Sequence, residues 1–235
     1  MASDRASTIR REMRRLTNRS RAAALQRYFK TGPGEYGAGD RFLGIRVPVL
    51  RKLAARNRTL SLRDLSSLLA SPWHEERLLA LFILVRQYAT ADPAQREAIF
   101  RLYMRRTGRI NNWDLVDCSA GYIVGAHLRG RKRTRLLRLA RSRALWERRI
   151  AIMATSHYIQ QNDFDYTLRV ARLLRDDPHD LIHKAVGWML REIGKRDPAV
   201  EERFLRRHAT RMPRTMLRYA IERFPPKVRR RYLDS

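Results

Sequence analysis

Two pairs of residues in the sequence combine an indole ring with a charged side chain at helical spacing. Trp113 and Asp117 lie four residues apart, and so do Lys184 and Trp188. The members of each pair are therefore expected to share one face of a helix. Indoles and cations make a poor core, but they suit contact with a phosphate backbone. These residues indicate a binding face for a polyanion.

A repeat in the chain puts the two pairs in equivalent positions. The segments HEERLLAL and WERRIAIM align without gaps and match Arg77 to Arg149. These two arginines are 72 residues apart. A step of 36 residues, half of that distance, leads from Arg77 to Trp113, and a step of 35 residues leads from Arg149 to Lys184. This cadence is typical of stacked helix-turn-helix repeats of the HEAT class. It predicts that the residues at these positions line one continuous, concave surface.

Each of these residues also has a structural interpretation. A helical tryptophan usually belongs to the core, and this is the favoured interpretation of Trp73 and Trp146. For Trp113 and Trp188 the core is the alternative, because the repeat position that they share with charged residues favours the binding face. Asp117 lies inside an apolar run where aspartate is a poor helix former, and a structural ion pair with an arginine would explain it. The structural interpretation of Arg149 is that it is one more surface arginine among the 45 of the chain. Asp114 lies in a first helical turn, where its charge suits the helix dipole.

The composition is that of a helical, strongly basic protein. Ala, Leu, Glu, Lys and Arg make up about half of the 235 residues, and the formal charge is +28. Such a charge favours nucleic acid as the partner, with an anionic membrane second. No apolar run approaches the roughly 18 residues of a membrane span. The single cysteine excludes a disulfide framework and fits a reducing, intracellular compartment.

Hydrophobic spacing and proline positions predict an all-α chain that forms one domain over residues 1–235. Helices are expected near residues 6–30, 47–57, 61–70, 73–89, 93–107, 112–127, 131–142, 145–160, 163–175, 178–195, 198–209 and 212–223. The glycine-rich stretch 31–44 either connects two helices or approaches a ligand closely.

Segment 129–149 carries ten basic residues against one acid. Arg131, Arg135 and Arg138 are expected to share one helix face. That face is either simply solvated or in contact with a polyanion, and the repulsion between like charges favours the second interpretation.

Five stretches of the sequence together resemble one known family. They are GDRFLGIRVPVLRKLA, INNWDLVD, WERRIA, KAVGWMLREIGK and MPRTMLRYAIERFP. Over nearly the whole chain this pattern resembles the AlkD-type DNA alkylation repair family. The resemblance implies an α-solenoid of HEAT-like repeats with a basic concave groove for DNA. It also implies a DNA glycosylase that excises positively charged N3- and N7-alkylated purines, such as 3-methyladenine and 7-methylguanine, without flipping the base.

The resemblance also implies roles for individual residues. Asp117, the second aspartate of the W-D-x-V-D motif, is the expected catalytic carboxylate. The expected DNA contacts, from the motifs and the repeat together, are Trp113, Arg149, Lys184, Trp188 and Arg191. No metal site and no cofactor are expected. The implied partner is double-stranded DNA with alkylated purines, bound by a monomeric, cytoplasmic protein without membrane contact.

Two other functions remain open at this point. One is a non-catalytic, HEAT-like protein that binds branched or damaged DNA. The other is a basic RNA-binding protein.

Overall fold

The computed structural model describes residues 5–131 and 133–234. These residues form helices joined by turns, with no strand among them; one isolated β-bridge pairs Arg41 with Trp73. The all-α prediction is therefore confirmed. Contacts divide the chain into unit 1 (Met1–Ser119) and unit 2 (Ala120–Ser235), and each unit is described by itself. The single-domain organisation stays a prediction.

Unit 1 is organised around one long, buried helix, α5. Its helices are α1 (Arg5–Arg15), α2 (Arg19–Tyr28), α3 (Val47–Arg56), α4 (Leu62–Leu69), α5 (His74–Thr90), α6 (Pro93–Arg105) and α7 (Trp113–Asp117), with a 3-10 turn at Thr107–Arg109. The apolar run LLALFIL of α5 is buried throughout. The helices α3, α4, α6 and α7 all pack against α5, which makes it the core element of the unit.

Unit 2 is a succession of packed helices. They are a π-helical turn (Gly121–Gly125), α8 (Ala126–Leu128), α9 (Thr134–Ala140), α10 (Leu145–Ala154), α11 (Ser156–Ile159), α12 (Asp165–Leu174), α13 (Asp180–Gly194), α14 (Pro198–His208), α15 (Arg214–Ala220) and α16 (Pro226–Leu233), with 3-10 turns at Ala209–Arg211 and Ile221–Arg223. α13 lies between α10 and α15, while α9 packs on α10 and on α12, and α14 packs on α13. This succession within the unit is solenoid-like.

Two helices predicted as continuous are interrupted. The predicted helix 6–30 divides at Asn18, whose side-chain oxygen accepts a hydrogen bond from the Arg21 backbone N–H and so begins α2. The predicted helix 145–160 divides at Thr155, whose hydroxyl donates to a backbone carbonyl of the preceding turn. Helix α16 was not predicted.

The predicted helix 112–127 is also wrong as a single element. Helix α7 ends at Asp117, and the Ser119 hydroxyl donates to the Leu115 carbonyl oxygen over 2.5 Å. That contact competes with the backbone ladder, and the chain continues as the π-helical turn Gly121–Gly125. The interruption leaves α7 with only five residues.

The four positions of the predicted repeat all lie in the first half of a helix. Arg77 is in α5, Trp113 in α7, Arg149 in α10 and Lys184 in α13. Their environments differ, because the two arginines are buried whereas Trp113 and Lys184 are half-buried. The HEAT-like nature of the repeat stays a prediction.

Candidate functional site

Helix α7 carries both candidate site residues of unit 1. Trp113 is its first residue and Asp117 its last. The fully buried Asn112 caps the helix, its side-chain oxygen accepting from the Trp113 backbone N–H at 2.8 Å. A helix of five residues is not stable by itself, so contacts with the rest of unit 1 must fix both side chains.

Trp113 ends a stack of aromatic rings. Its indole stacks on Phe29 with centroids 5.2 Å apart, and Phe29 stacks on Phe42 at 5.1 Å. The Phe42 ring in turn stacks on the His74 imidazole at 4.5 Å. The exposed Tyr28 meets the indole edge-on at 6.1 Å. Trp113 is therefore half-buried. Part of its indole belongs to the core, and part stays accessible at the surface.

Asp117 is half-buried at the end of α7, directly after the fully buried Leu115 and Val116. Its charge acts on its neighbour: burial and the Asp114 and Asp117 carboxylates raise the pKa of the Cys118 thiol. Cys118 is therefore protonated at neutral pH and is not a nucleophile.

A buried polar network adjoins α7, and sequence analysis missed it. The His74 imidazole is hydrogen-bonded through Nδ1 to Asp40 Oδ2 at 3.1 Å and through Nε2 to Asp114 Oδ2 at 2.8 Å. Arg77 donates to Asp40 Oδ1 at 2.6 Å, and Asn111 donates to the same oxygen at 3.2 Å. Asp114 therefore does more than complement the helix dipole.

His74 is a cation in this network. Burial by itself lowers the pKa of His74, but the Asp114 charge and the hydrogen bonds to Asp114 and Asp40 outweigh it and raise that pKa to about 9. Burial also disfavours the charged Asp40, yet His74 and Arg77 lower the pKa of this carboxyl below its usual value. Both ring nitrogens of His74 thus act as donors at neutral pH.

The glycine-rich stretch 31–44 is a packed part of unit 1. A Cβ at Gly37 would lie 2.5 Å from the Phe29 carbonyl oxygen, so the chain passes too close for any larger residue. The buried Glu75 carboxylate accepts backbone N–H bonds from residues 43, 44 and 45. The stretch thereby presents Asp40 to the network, and two of its glycines, Gly37 and Gly44, approach protein backbone closely.

Of the predicted site residues of unit 2, Arg149 is buried and Arg191 is half-buried. Arg149 is 5% exposed, and its guanidinium donates to the Leu181 carbonyl oxygen at 2.5 Å. The interpretation of Arg149 as an ordinary surface arginine is therefore wrong. Arg191 forms an ion pair with Glu222, and its side chain is 16% exposed. Their contacts with phosphate stay predictions.

The other two predicted site residues of unit 2, Lys184 and Trp188, lie on α13. Lys184 is paired with Asp180 one turn earlier at 2.7 Å. Trp188 is half-buried and donates from Nε1 to Glu192 Oε1 at 3.0 Å. Because α10 packs against α13, these residues and Arg149 belong to neighbouring helices. The convergence of this set with the residues of α7 stays a prediction.

The basic segment 129–149 is only partly as predicted. In α9, Leu136, Leu139 and Ala140 are buried, and Arg135 and Arg138 are exposed. Arg131 precedes α9 and so does not share its face. Lys132 lies outside the described residues.

The remaining findings concern membranes and metals. In the part of the chain that the structure describes, no helix has both the length and the apolar character for crossing a membrane. Within the same residues, no group of three or more His, Cys, Asp or Glu side chains is arranged to hold a metal ion.

Comparison with known proteins gives one family match and a similar solved structure. No curated protein matches this chain. A solved structure described as a predicted DNA alkylation repair enzyme from Enterococcus faecalis has a similar fold, with a TM-score of 0.68 and 18% identity over 89% of this chain and 97% of that one. The model of one family, described as DNA alkylation repair enzyme, matches residues 9–224. The chain therefore belongs to the DNA alkylation repair enzyme family.

Proposed function

We propose that the protein is a monofunctional DNA glycosylase that releases N3- and N7-alkylated purines from duplex DNA. One observation carries the proposal: the complete motif WDLVD forms α7, with the half-buried Asp117 at its end. The family match over residues 9–224 supports it, since that family is described by the repair of alkylated DNA.

The chemistry needs only one carboxylate. A purine alkylated at N3 or N7 carries a positive charge, so it leaves without prior protonation. As the glycosidic bond breaks, positive charge develops on the deoxyribose, as in other glycoside hydrolyses. The Asp117 carboxylate, held beside the sugar, stabilises this charge and orients the attacking water.

The other site residues bind the strand. Trp113 has one face on Phe29, and the rest of its indole packs against the sugar-phosphate backbone, as does Trp188. Arg149, Lys184 and Arg191 contact phosphates. Selectivity then comes from the charge and lability of the lesion, so neutral lesions such as uracil are released poorly.

The test is an Asp117→Asn variant incubated with methylated duplex DNA. We expect release of 7-methylguanine, measured by chromatography of the freed bases, to fall by about 100-fold or more. Duplex affinity should stay within a few-fold, because the phosphate contacts are intact.

Asp92→Asn is the matched control. Asp92 caps α6 by accepting from the Gln95 backbone N–H at 2.8 Å, and asparagine caps a helix equally well. This variant removes the same charge from unit 1 and should release base at the wild-type rate. Full activity of Asp117→Asn would contradict the mechanism. A wild-type protein that binds duplex DNA but releases no base would be the non-catalytic alternative, and a preference for double-stranded RNA at fixed salt would favour the RNA-binding one.

A further inference from the structure

We infer that His74 is a positioning residue that fixes α7, and with it Trp113 and Asp117, through hydrogen bonds to two carboxylates. The inference deepens the proposed function and rests on it. His74 itself lies on α5, is 1% exposed and touches no substrate in the proposed mechanism.

The hydrogen bonds join a rigid part of unit 1 to the short helix. On one side, His74 binds Asp40, which is also held by Arg77, a buried residue that further donates to the Ser71 carbonyl oxygen at 3.0 Å. On the other side, His74 binds Asp114, which stands in the first turn of α7. The position of α7 is thereby tied to α5 and to the glycine-rich stretch.

His74 reaches the two functional side chains by separate routes. Asp114 precedes Asp117 by three residues on the same helix, so a shift of one moves the other. The imidazole also supports the ring stack through Phe42, and that stack ends at Trp113. One side chain thus sets the location of both the carboxylate and the indole.

Stability by itself does not account for this arrangement. Moving two cations and two carboxylates out of water is unfavourable, and apolar residues of similar volume often stabilise a core as well as a buried ion network does. What the network adds is directional bonding at fixed angles, the property that orients reactive groups in active sites.

An Asp114→Asn variant tests the inference. Asp114 Oδ1 accepts from the Leu115 backbone N–H at 2.9 Å, so an asparagine that keeps this bond turns its N–H₂ toward the protonated Nε2 of His74, which has no lone pair to accept it. The contact returns when His74 is neutral and accepts through Nε2. We expect single-turnover release of 7-methylguanine at about pH 5.5, below the usual pKa of an imidazole, to fall by about 10- to 100-fold, with the duplex Kd within about threefold. Asp92→Asn, which removes a charge elsewhere in unit 1, should leave both unchanged.

The pH profile separates positioning from a merely structural role. The charged groups that face His74 are Asp40, Asp114 and Arg77. In the wild type, release should decline as the pH rises through about 9, the pKa of His74. In Asp114→Asn the neutral imidazole restores the contact, so its rate should hold or rise with pH. Equal rates and parallel profiles for the two proteins would overturn the inference.

A measurement that does not depend on base release completes the test. In nuclear magnetic resonance spectra, the His74 ring should titrate with a pKa near 9 in the wild type, and the Trp113 indole signal should shift in Asp114→Asn but not in Asp92→Asn. A wild-type protein that releases no base but shows these signals would refute the proposed function and leave the positioning of α7 supported. Titration of His74 near pH 6.5, or an unshifted Trp113 signal, would refute the positioning role itself.

Discussion

The buried imidazolium of His74 ties the stability of the protein to pH. Its pKa is raised from 6.5 to about 9 on folding, so its contribution is fully present below pH 6.5 and is lost as the pH rises through about 9. We expect the free energy of unfolding, measured by urea denaturation, to decrease across this range.

The contribution of His74 is isolated by comparing the free energy of unfolding of the wild type and of Asp114→Asn at each pH. Glu201 in unit 2 also makes stability fall with pH, because burial and the neighbouring Glu202 raise its pKa from 4.5 to about 8. That decline is common to both proteins. Parallel stability curves for the two proteins between pH 6.5 and about 9.5 would contradict the assignment of the charge to His74.

At the scale of elements, the contact between α13 and α15 depends on Gly187. A Cβ there would lie 2.4 Å from the Met216 carbonyl oxygen and 2.5 Å from Tyr219 Cβ. Helix propensity alone favours alanine over glycine by about 1 kcal/mol. The steric conflict involves backbone and opposes that gain, so Gly187→Ala should destabilise the protein by roughly 1–3 kcal/mol.

Thermal denaturation measures the destabilisation caused by Gly187→Ala, and Gly108→Ala is the control. No atom lies within 4 Å of a Cβ at Gly108, and the residue is exposed. Its substitution should change stability by less than about 0.5 kcal/mol. If Gly187→Ala unfolded at the same temperature as Gly108→Ala, α13 would not need its close approach to α15. Duplex affinity is a second readout, because α13 also carries Lys184 and Trp188.

Helix ends show what local sequence can predict. Asp92-Pro93 and Asp197-Pro198 begin α6 and α14 as expected, each aspartate accepting a backbone N–H bond. The unpredicted break at Asn18 has a different origin. Its backbone N–H donates to the Leu43 carbonyl oxygen, and Gly44 passes so close that a Cβ would lie 2.2 Å from the Asn18 carbonyl oxygen. Such contacts between distant segments leave no periodic signal in the sequence.

At the scale of the whole molecule, the charge of +28 predicts how binding responds to salt. If the protein neutralises about six phosphates, log K for duplex DNA should fall with log[salt] with a slope near −5. Fluorescence anisotropy at several KCl concentrations measures this slope. Asp117→Asn should show the same slope, since Asp117 contacts no phosphate in the proposed mechanism. A slope near zero would contradict a phosphate-dominated interface.

The sequence by itself determined the all-α class, the main helix positions and the family motifs that point to Asp117, because caps, hydrophobic spacing and short motifs involve residues a few positions apart. Only the tertiary structure decided that Arg149 is buried, and that His74 links Asp40 to Asp114. The physical reason is distance along the chain: those bonds join residues 32 to 40 positions apart, and the burial that gives them their strength exists only once the helices have packed.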